Sequence, residues 1–205
     1  MNIVITMAGH SRRFNEAGYA GPKGLLTVGN KPMIEHVINM FDPHSCKYFI
    51  VVNNQQVENT PGLEDYLLNL APRVQITVVD SHELGPVYSS LQIEGIEDDD
   101  EVIVTYCDFI VEWNYPLFLR HIRGSDGAIV SFRGFHPASF GETYYAYMRV
   151  DGQNHMLELR EKLSFTDKRE DEHASTGIYY YKNWGIFRSY GEAYLEKGTS
   201  ELPEV

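Results

Sequence analysis

The chain predicts an α/β fold of three layers, with helices on both faces of a mostly parallel central sheet and a mixed C-terminal portion. Three features predict it. The chain opens on the unbroken apolar run Ile3 to Met7, the pattern of a strand buried on both faces, which is the mark of a parallel sheet. Amphipathic helical segments then alternate with further runs of the same kind, a rhythm that requires right-handed crossovers. Beyond residue 125 the rhythm changes to mostly strands, and no Pro/Ser-rich linker marks a second domain, so residues 1–205 read as one domain.

Taken in order, Pro32 opens a helical pattern whose Met33, Ile34, Val37, Ile38 and Phe41 share one face, and Asp42-Pro43 ends it. Tyr48 to Val52 is the second strand. Leu63, Tyr66, Leu67 and Leu70 mark an amphipathic helix stopped by Pro72, and Val74 to Val79 is the third strand. Pro86 to Ile93 reads as a short helix, and Val102 to Tyr106 as a fourth strand running into Asp108. The later strands are Ala128 to Phe132, Tyr144 to Val150, Met156 to Leu159 and Thr176 to Tyr181, followed by a helix from Asn183 to Lys197 and a tail, Thr199 to Val205, without a further strand. Asp98-Asp99-Asp100-Glu101 reads as a solvated turn, because adjacent carboxylates repel and point apart, and Lys168 to His173 reads as an exposed loop.

Composition removes several classes of function. A formal net charge of -12 repels a nucleic acid polymer, which needs a basic surface. No apolar run reaches the length of a membrane span, and Met1 to Met7 lacks the basic region and cleavage site of a signal peptide, so the expected location is the cytoplasm, away from the membrane. Cys46 and Cys107 are too few and too isolated for a disulfide framework or a zinc site. A small anionic ligand remains compatible with the acidic charge if cations cluster locally.

They do so directly after the first strand. In open α/β sheets ligands bind beyond the carboxyl ends of the strands, so the loops that follow strands carry the chemistry. Here the loop reads Met7-Ala8-Gly9-His10-Ser11-Arg12-Arg13-Phe14, followed by Gly21-Pro22-Lys23-Gly24. Small residues let backbone N–H groups approach a phosphate, while Arg13 and Lys23 add fixed positive charge. His10 sits within reach of the same phosphates, although a lone loop histidine is more often merely solvated.

Ala8, Gly9 and Arg13, then Pro22-Lys23, then Lys31-Pro32-Met33-Ile34, resemble the signature of the sugar-phosphate nucleotidyltransferases, Ala-Gly-x-Gly-x-Arg followed by Pro-Lys. Later landmarks fall in the family's order over nearly the whole chain: Leu84-Gly85-Pro86-Val87 is similar to its base-recognition turn, Asp108 to its metal-binding aspartate, Glu161-Lys162 to its Glu-Lys pair, and Thr176-Gly177-Ile178-Tyr179 to its Thr-Gly-Ile-Tyr strand. The run Asp108-Phe109-Ile110-Val111-Glu112-Trp113 resembles the Asp-x-x-x-Asp-Trp of small bacterial members linked to capsule and lipopolysaccharide synthesis. The resemblance implies a Rossmann-like nucleotidyltransferase fold. It also implies transfer of a nucleoside monophosphate from a nucleoside triphosphate to a sugar 1-phosphate or another phosphorylated small metabolite, with release of pyrophosphate.

In that chemistry two polyanions must meet, so catalysis rests on positioning and charge neutralisation. By the resemblance, Arg13 and Lys23 hold the departing phosphates, Lys162 meets the acceptor's phosphate, and Ala8, Gly9, His10, Ser11 and Gly85 lie against the nucleotide. Asp108 anchors Mg²⁺, a hard cation that prefers oxygen ligands. Glu161 and Glu112 are further candidates, and a four-residue step aligns Glu112 with Asp108 only in a helix. The tyrosines Tyr144, Tyr145, Tyr147, Tyr179, Tyr180 and Tyr181 read mainly as packing, with one or two rings in the acceptor pocket. Two positions depart from the family: Ser11 replaces the second loop glycine and Cys107 replaces the glycine before the metal aspartate. Family members often place a second metal carboxylate after the Thr-Gly-Ile-Tyr strand. The short remainder here points to a C-terminally truncated chain or a minimal variant. Self-association to a homo-oligomer is a further expectation for this class. The alternatives are a nucleotide-binding regulatory subunit without catalysis, suggested by Ser11 and the short tail, and last a glycosyltransferase of related fold, whose Asp-x-Asp is missing at Asp108-Phe109-Ile110.

Overall fold

A computed structural model describes residues 1–136 and 145–197. Along the chain these form β1 (Asn2–Thr6), α1 (Arg12–Glu16), a 3-10 turn (Lys23–Leu25), the small hairpin β2 (Thr27–Val28) and β3 (Lys31–Pro32), α2 (Met33–Asn39), β4 (Lys47–Asn53), α3 (Asn54–Asn59), α4 (Leu63–Leu68), β5 (Val74–Val79) and α5 (Gly85–Leu91). There follow β6 (Val102–Tyr106), α6 (Tyr115–His121), β7 (Gly127–Phe132), β8 (Ala146–Val150), β9 (Met156–Glu161), a 3-10 turn (Arg169–Asp171), β10 (His173–Tyr181) and α7 (Trp184–Glu196).

The main sheet has the order β5-β4-β1-β6-β10-β8-β9, with β7 also paired to β10. Its first four strands run parallel, with Thr6 level with Val51 of β4 and with Tyr106 of β6. From β10 onward every pairing is antiparallel, which is the mixed C-terminal portion that the strand-rich second half predicts.

Alternation along β1 and β4 divides the core into two layers. Ile3, Ile5, Met7, Tyr48, Ile50 and Val52 face Ile34, Val37 and Ile38 of α2, Leu63 and Leu67 of α4, and Tyr115 of α6. Val4, Phe49, Val51 and Val104 face the other way, against Trp184 and Phe187 of α7 and the flank of α5. A strand with apolar side chains on both faces has no solvent side, which is why the opening run shows no period of two. Cys46 and Cys107 are both buried, free thiols.

The strands Val74–Val79 and Val102–Tyr106 and the helices α2, α4, α5 and α7 stand where the sequence predicts them. Asn183 caps α7 by accepting from the Ile186 N–H at 2.8 Å. The acidic turn braces that same end: Trp184 N–H donates to the Asp100 carbonyl at 2.8 Å and the Arg188 guanidinium meets Asp98 at 2.6 Å. Two short helices, α1 and α3, lie in stretches without a readable apolar stripe, whereas the unpredicted α6 has one in Tyr115, Phe118, Leu119 and Ile122, which pack on the core. Tyr144 and the tail Thr199 to Val205 lie outside the described residues. No described helix is long and apolar enough to cross a membrane.

β10 bends at Gly177, where its register against β7 shifts. Gly177 has φ +74°, and an added Cβ would sit 2.4 Å from Tyr106 Cδ2. Gly177→Ala is therefore expected to cost about 1–3 kcal/mol from backbone strain and overpacking together. A lowered urea midpoint with an unchanged slope checks it.

Candidate functional site

The parallel order makes a topological switch point. From β1 the chain crosses through α2 to β4 on one side, whereas β6, reached through α5, pairs on the other side of β1. The loops after β1 and β6 therefore diverge from neighbouring strand ends and leave a crevice. A cleft of about 870 Å³ opens there, with Ala8, Gly9, His10, Ser11, Arg12, Arg13 and Lys23 on one wall and His82 to Val87 on another. Tyr106, Gly177, Tyr179, Tyr181, Phe187 and Tyr194 complete it.

The loop after β1 is held from behind by side chains of the β4–α3 junction. Asn53 Nδ2 donates to the Ala8 carbonyl at 2.7 Å, and Gln56 Nε2 to the carbonyls of Met7 and Gly9 at 2.9 and 3.2 Å. Asn53 and Gln56 also form a reciprocal capping box at the start of α3. A trans peptide points each N–H opposite to the preceding carbonyl, so the amides of Ala8, Gly9 and His10 are turned away from α3. Three consecutive amides presented this way are suited to an anion.

Ser11 holds the left-handed backbone conformation, φ 55° and ψ 29°. A glycine takes that conformation without steric cost, which explains why the family places glycine here. The serine gives something in return: its Oγ accepts from the Lys23 N–H at 3.2 Å and ties the loop after β1 to the Pro-Lys step.

Lys23 is the centre of the site. Its Nζ donates to Asp108 Oδ2 at 3.0 Å, with the two side chains only 21% and 25% exposed. Burial opposes the ammonium charge, but neighbouring Cys107 and Asp108 outweigh it and Lys23 titrates above its ordinary value. The Cys107 thiol is itself pushed up to about 12 by complete burial, so it is neutral at physiological pH and Asp108 is the charge that holds the lysine. Arg13, on α1, is close enough to act against that charge. Asp108, Lys23 and Arg13 thus share one end of the sheet.

The remaining candidates divide. Gly85 lines the cleft with φ +82° and open space where a side chain would stand; Gly9 also lines it, with open space at the same position. Glu161, at the end of β9, is half-buried and faces Tyr106 and Tyr179, whose rings meet at 90° in the cleft wall. Burial raises its pKa, partly offset by Lys162. Lys162 is exposed and adopts a left-handed φ of 51°, its N–H bonded to the Tyr145 carbonyl at 3.0 Å. Glu112 is exposed, and residues 109–114 are not helical, so the four-residue step does not align it with Asp108. Of the tyrosines, Tyr179 and Tyr181 line the cleft while Tyr147 and Tyr180 are buried.

Composition and motif gave no sign of His82. Its Nδ1 accepts from the Leu84 N–H at 3.1 Å, which leaves Nε2–H to donate to Ser89 Oγ at 3.0 Å. Its ring packs edge-on to Tyr88, and its carbonyl accepts from His10 Nε2 at 3.0 Å. Beside it, Arg12 pairs with Glu83. These contacts join the loop after β1 to the turn before Gly85. Only the spacing of His82 two residues before Leu84 could have signalled it, since such a histidine can accept from the backbone of a turn.

The chain matches the family described as the MobA-like NTP transferase domain over residues 3–165. It belongs to that family. Among curated relatives it is similar to the bifunctional protein GlmU of Methanococcus maripaludis, 23% identical over 210 residues, covering 100% of this chain and 46% of the relative. It is also similar to the glucose-1-phosphate cytidylyltransferase of Salmonella typhimurium, 22% identical over 162 residues, 69% of this chain and 63% of that one. The chain thus spans about half the length of the GlmU relatives that it matches. Among solved structures, the nucleoside-diphosphate-sugar pyrophosphorylase of Vibrio cholerae superposes with a TM-score of 0.74 at 22% identity, over 94% of this chain and 78% of that one. That likeness shows the fold, a Rossmann-like sheet.

Burial and the nearby His10 lower the pKa of His82 from its ordinary 6.5. The unfolded chain then binds the proton first, so the histidine's contribution is complete above that value and is lost as pH falls through it. Wild-type stability is expected to fall between about pH 7 and pH 5 more than that of His82→Asn, which keeps an acceptor for the Leu84 N–H but does not titrate. Urea unfolding of both proteins at the two pH values checks it.

Proposed function

We propose that the protein is a sugar-phosphate-type nucleotidyltransferase: an acceptor phosphate oxygen attacks the α-phosphorus of a nucleoside triphosphate. The new P–O bond forms as the bond from that phosphorus to the bridging oxygen breaks, and pyrophosphate leaves. The observation that carries the reading is the Lys23–Asp108 pair beside the amide-lined loop, at the mouth of β1 and β6. Family membership and the pyrophosphorylase and cytidylyltransferase relatives support it.

Each group at the site then has a task. Lys23 and Arg13 neutralise charge on the departing phosphates, and the amides of Ala8, Gly9 and His10 fix their position. Ser11 keeps the loop and Lys23 in register. Gly85, which carries no side chain, leaves room for the base. Lys162 receives the acceptor's phosphate, and Glu161 with Tyr106 and Tyr179 shapes the rest of the acceptor pocket.

Among the described residues no group of three or more His, Cys, Asp or Glu side chains is placed to hold a metal. Asp108 alone fits magnesium, which is commonly held by one or two carboxylates together with substrate phosphates and water. When bound, the ion would neutralise phosphate charge and polarise a phosphoryl oxygen. The similarity of the Asp108-to-Trp113 run to capsule-associated members supports a role for the product in surface polysaccharide assembly.

Pyrophosphate release, with each triphosphate tried against a panel of sugar 1-phosphates and other metabolite phosphates, tests the reading. Lys23→Ala is expected to lower kcat about 10²–10³-fold, the scale of removing one preorganised charge-stabilising donor. Asp108→Asn is expected to abolish the response to added Mg²⁺, and Glu112→Gln to leave turnover unchanged. Absence of turnover with every pair, in the presence of magnesium, overturns the proposal.

A further inference from the structure

The far edge of the sheet carries a second kind of surface. Among the described residues β9 pairs with β8 alone, so its outer row of backbone N–H and C=O groups faces away from the sheet. Met156, Leu157, Leu159 and Leu163 are 53%, 68%, 39% and 57% exposed, an unusual concentration of large apolar side chains on one short stretch. An edge strand of this kind is a template for another strand unless the protein guards it, and charged side chains are a common guard.

The charges on β9 do not act as a guard against a second copy of the same strand. Antiparallel pairing of β9 with itself about a twofold axis at Leu159 places Glu158 opposite Arg160 of the other copy, twice over, and sets the two Leu159 side chains against each other. A guard made of like charges would repel its own copy in every register, whereas this order of signs attracts in the register that buries the leucine. Within one chain Glu158 already holds Arg160 at 2.9 Å, and the Arg160 guanidinium lies over the Phe165 ring at 4.3 Å. Both charged groups are thereby fixed on the same face of the strand before a partner arrives. The acidic whole, at -12 per chain, repels at long range, so the attraction must be local and registered.

We propose that β9 is a homodimer edge: two copies join through antiparallel β9 strands centred on Leu159, continuing the sheet from one copy to the next. Glu161, the residue at the acceptor end of β9, then lies opposite Leu157 of the second copy, so the two acceptor pockets border the shared interface.

Sedimentation equilibrium of the full chain over a concentration series tests it. The wild type is expected to show a monomer–dimer equilibrium. Glu158→Arg and Arg160→Glu, each of which sets like charges opposite one another at two positions, are each expected to weaken it about tenfold or more. The double variant, which restores opposite signs with the order reversed, is expected to return to within about threefold of the wild type. Leu159→Lys, with two ammonium groups on the axis, is expected to give a monomer, and circular dichroism confirms that each variant is folded. A wild type that stays monomeric throughout overturns the proposal, as does a dimer that none of the single variants weakens or a double variant no stronger than the singles.

Discussion

The parallel pairing of β1 with β4 on one side and β6 on the other is the constraint on which the site depends. It sets Thr6, Val51 and Tyr106 level with one another, so the loops that leave β1 and β6 start from adjacent points at one end of the sheet. Lys23 and Asp108 are 85 residues apart in the chain yet form a 3.0 Å ion pair, because Asp108 directly follows β6 and the segment after β1 returns through α1 to bring Lys23 to the same end of the sheet. No local propensity could bring them together. The buried hydrophobic run of β1 does so indirectly, by demanding strands on both sides and helices on both faces.

The loop geometry follows from the next strand over. Asn53 ends β4 and begins α3, and its carboxamide serves both the helix cap and the Ala8 carbonyl. Gln56, one turn on, does the same for Met7 and Gly9. A short helix without buried side chains is weak by itself. Its role is to present two amide side chains that turn the loop's carbonyls inward and its N–H groups outward. Local capping chemistry at one strand end thereby sets which way the amides of the neighbouring loop point.

What the sequence made legible was the part carried by periodicity and by motif. The runs at Ile3, Tyr48 and Val102 are nearly unbroken apolar stretches, whereas the run at Val74 alternates with Gln75 and Thr77 and forms the edge of the sheet; all four are strands of the parallel half, and the Ala8-Gly9 to Lys23 spacing located the cleft wall. Elements that depend on few side chains were not legible. The helix α1 lies in a segment of mostly polar and small residues, and α3 has no buried face, so neither shows a stripe. His82 was hidden because its role is set by a backbone N–H two residues away, which no composition signals. Glu112 is the opposite case: a plausible spacing lost its meaning because the segment is not helical.

On the proposed function, an acidic protein must make its cations available to a polyanion at little cost, and the pairing pattern fits that need. Of the three cations on this wall, Arg12 meets Glu83 in an exposed pair, and such pairs are worth little in water. Opening it is cheap. Lys23 is different, since burial would penalise its charge without a partner and Asp108 provides one. A phosphate entering beside Lys23 substitutes one anion for another at an ammonium that is already desolvated and fixed in place. Asp108 is then relieved of its lysine, at the point where a phosphate-bound cation would need a carboxylate. The same pair can therefore stabilise the empty site and prepare the filled one, which is why the sheet is built to bring these two residues within hydrogen-bond distance.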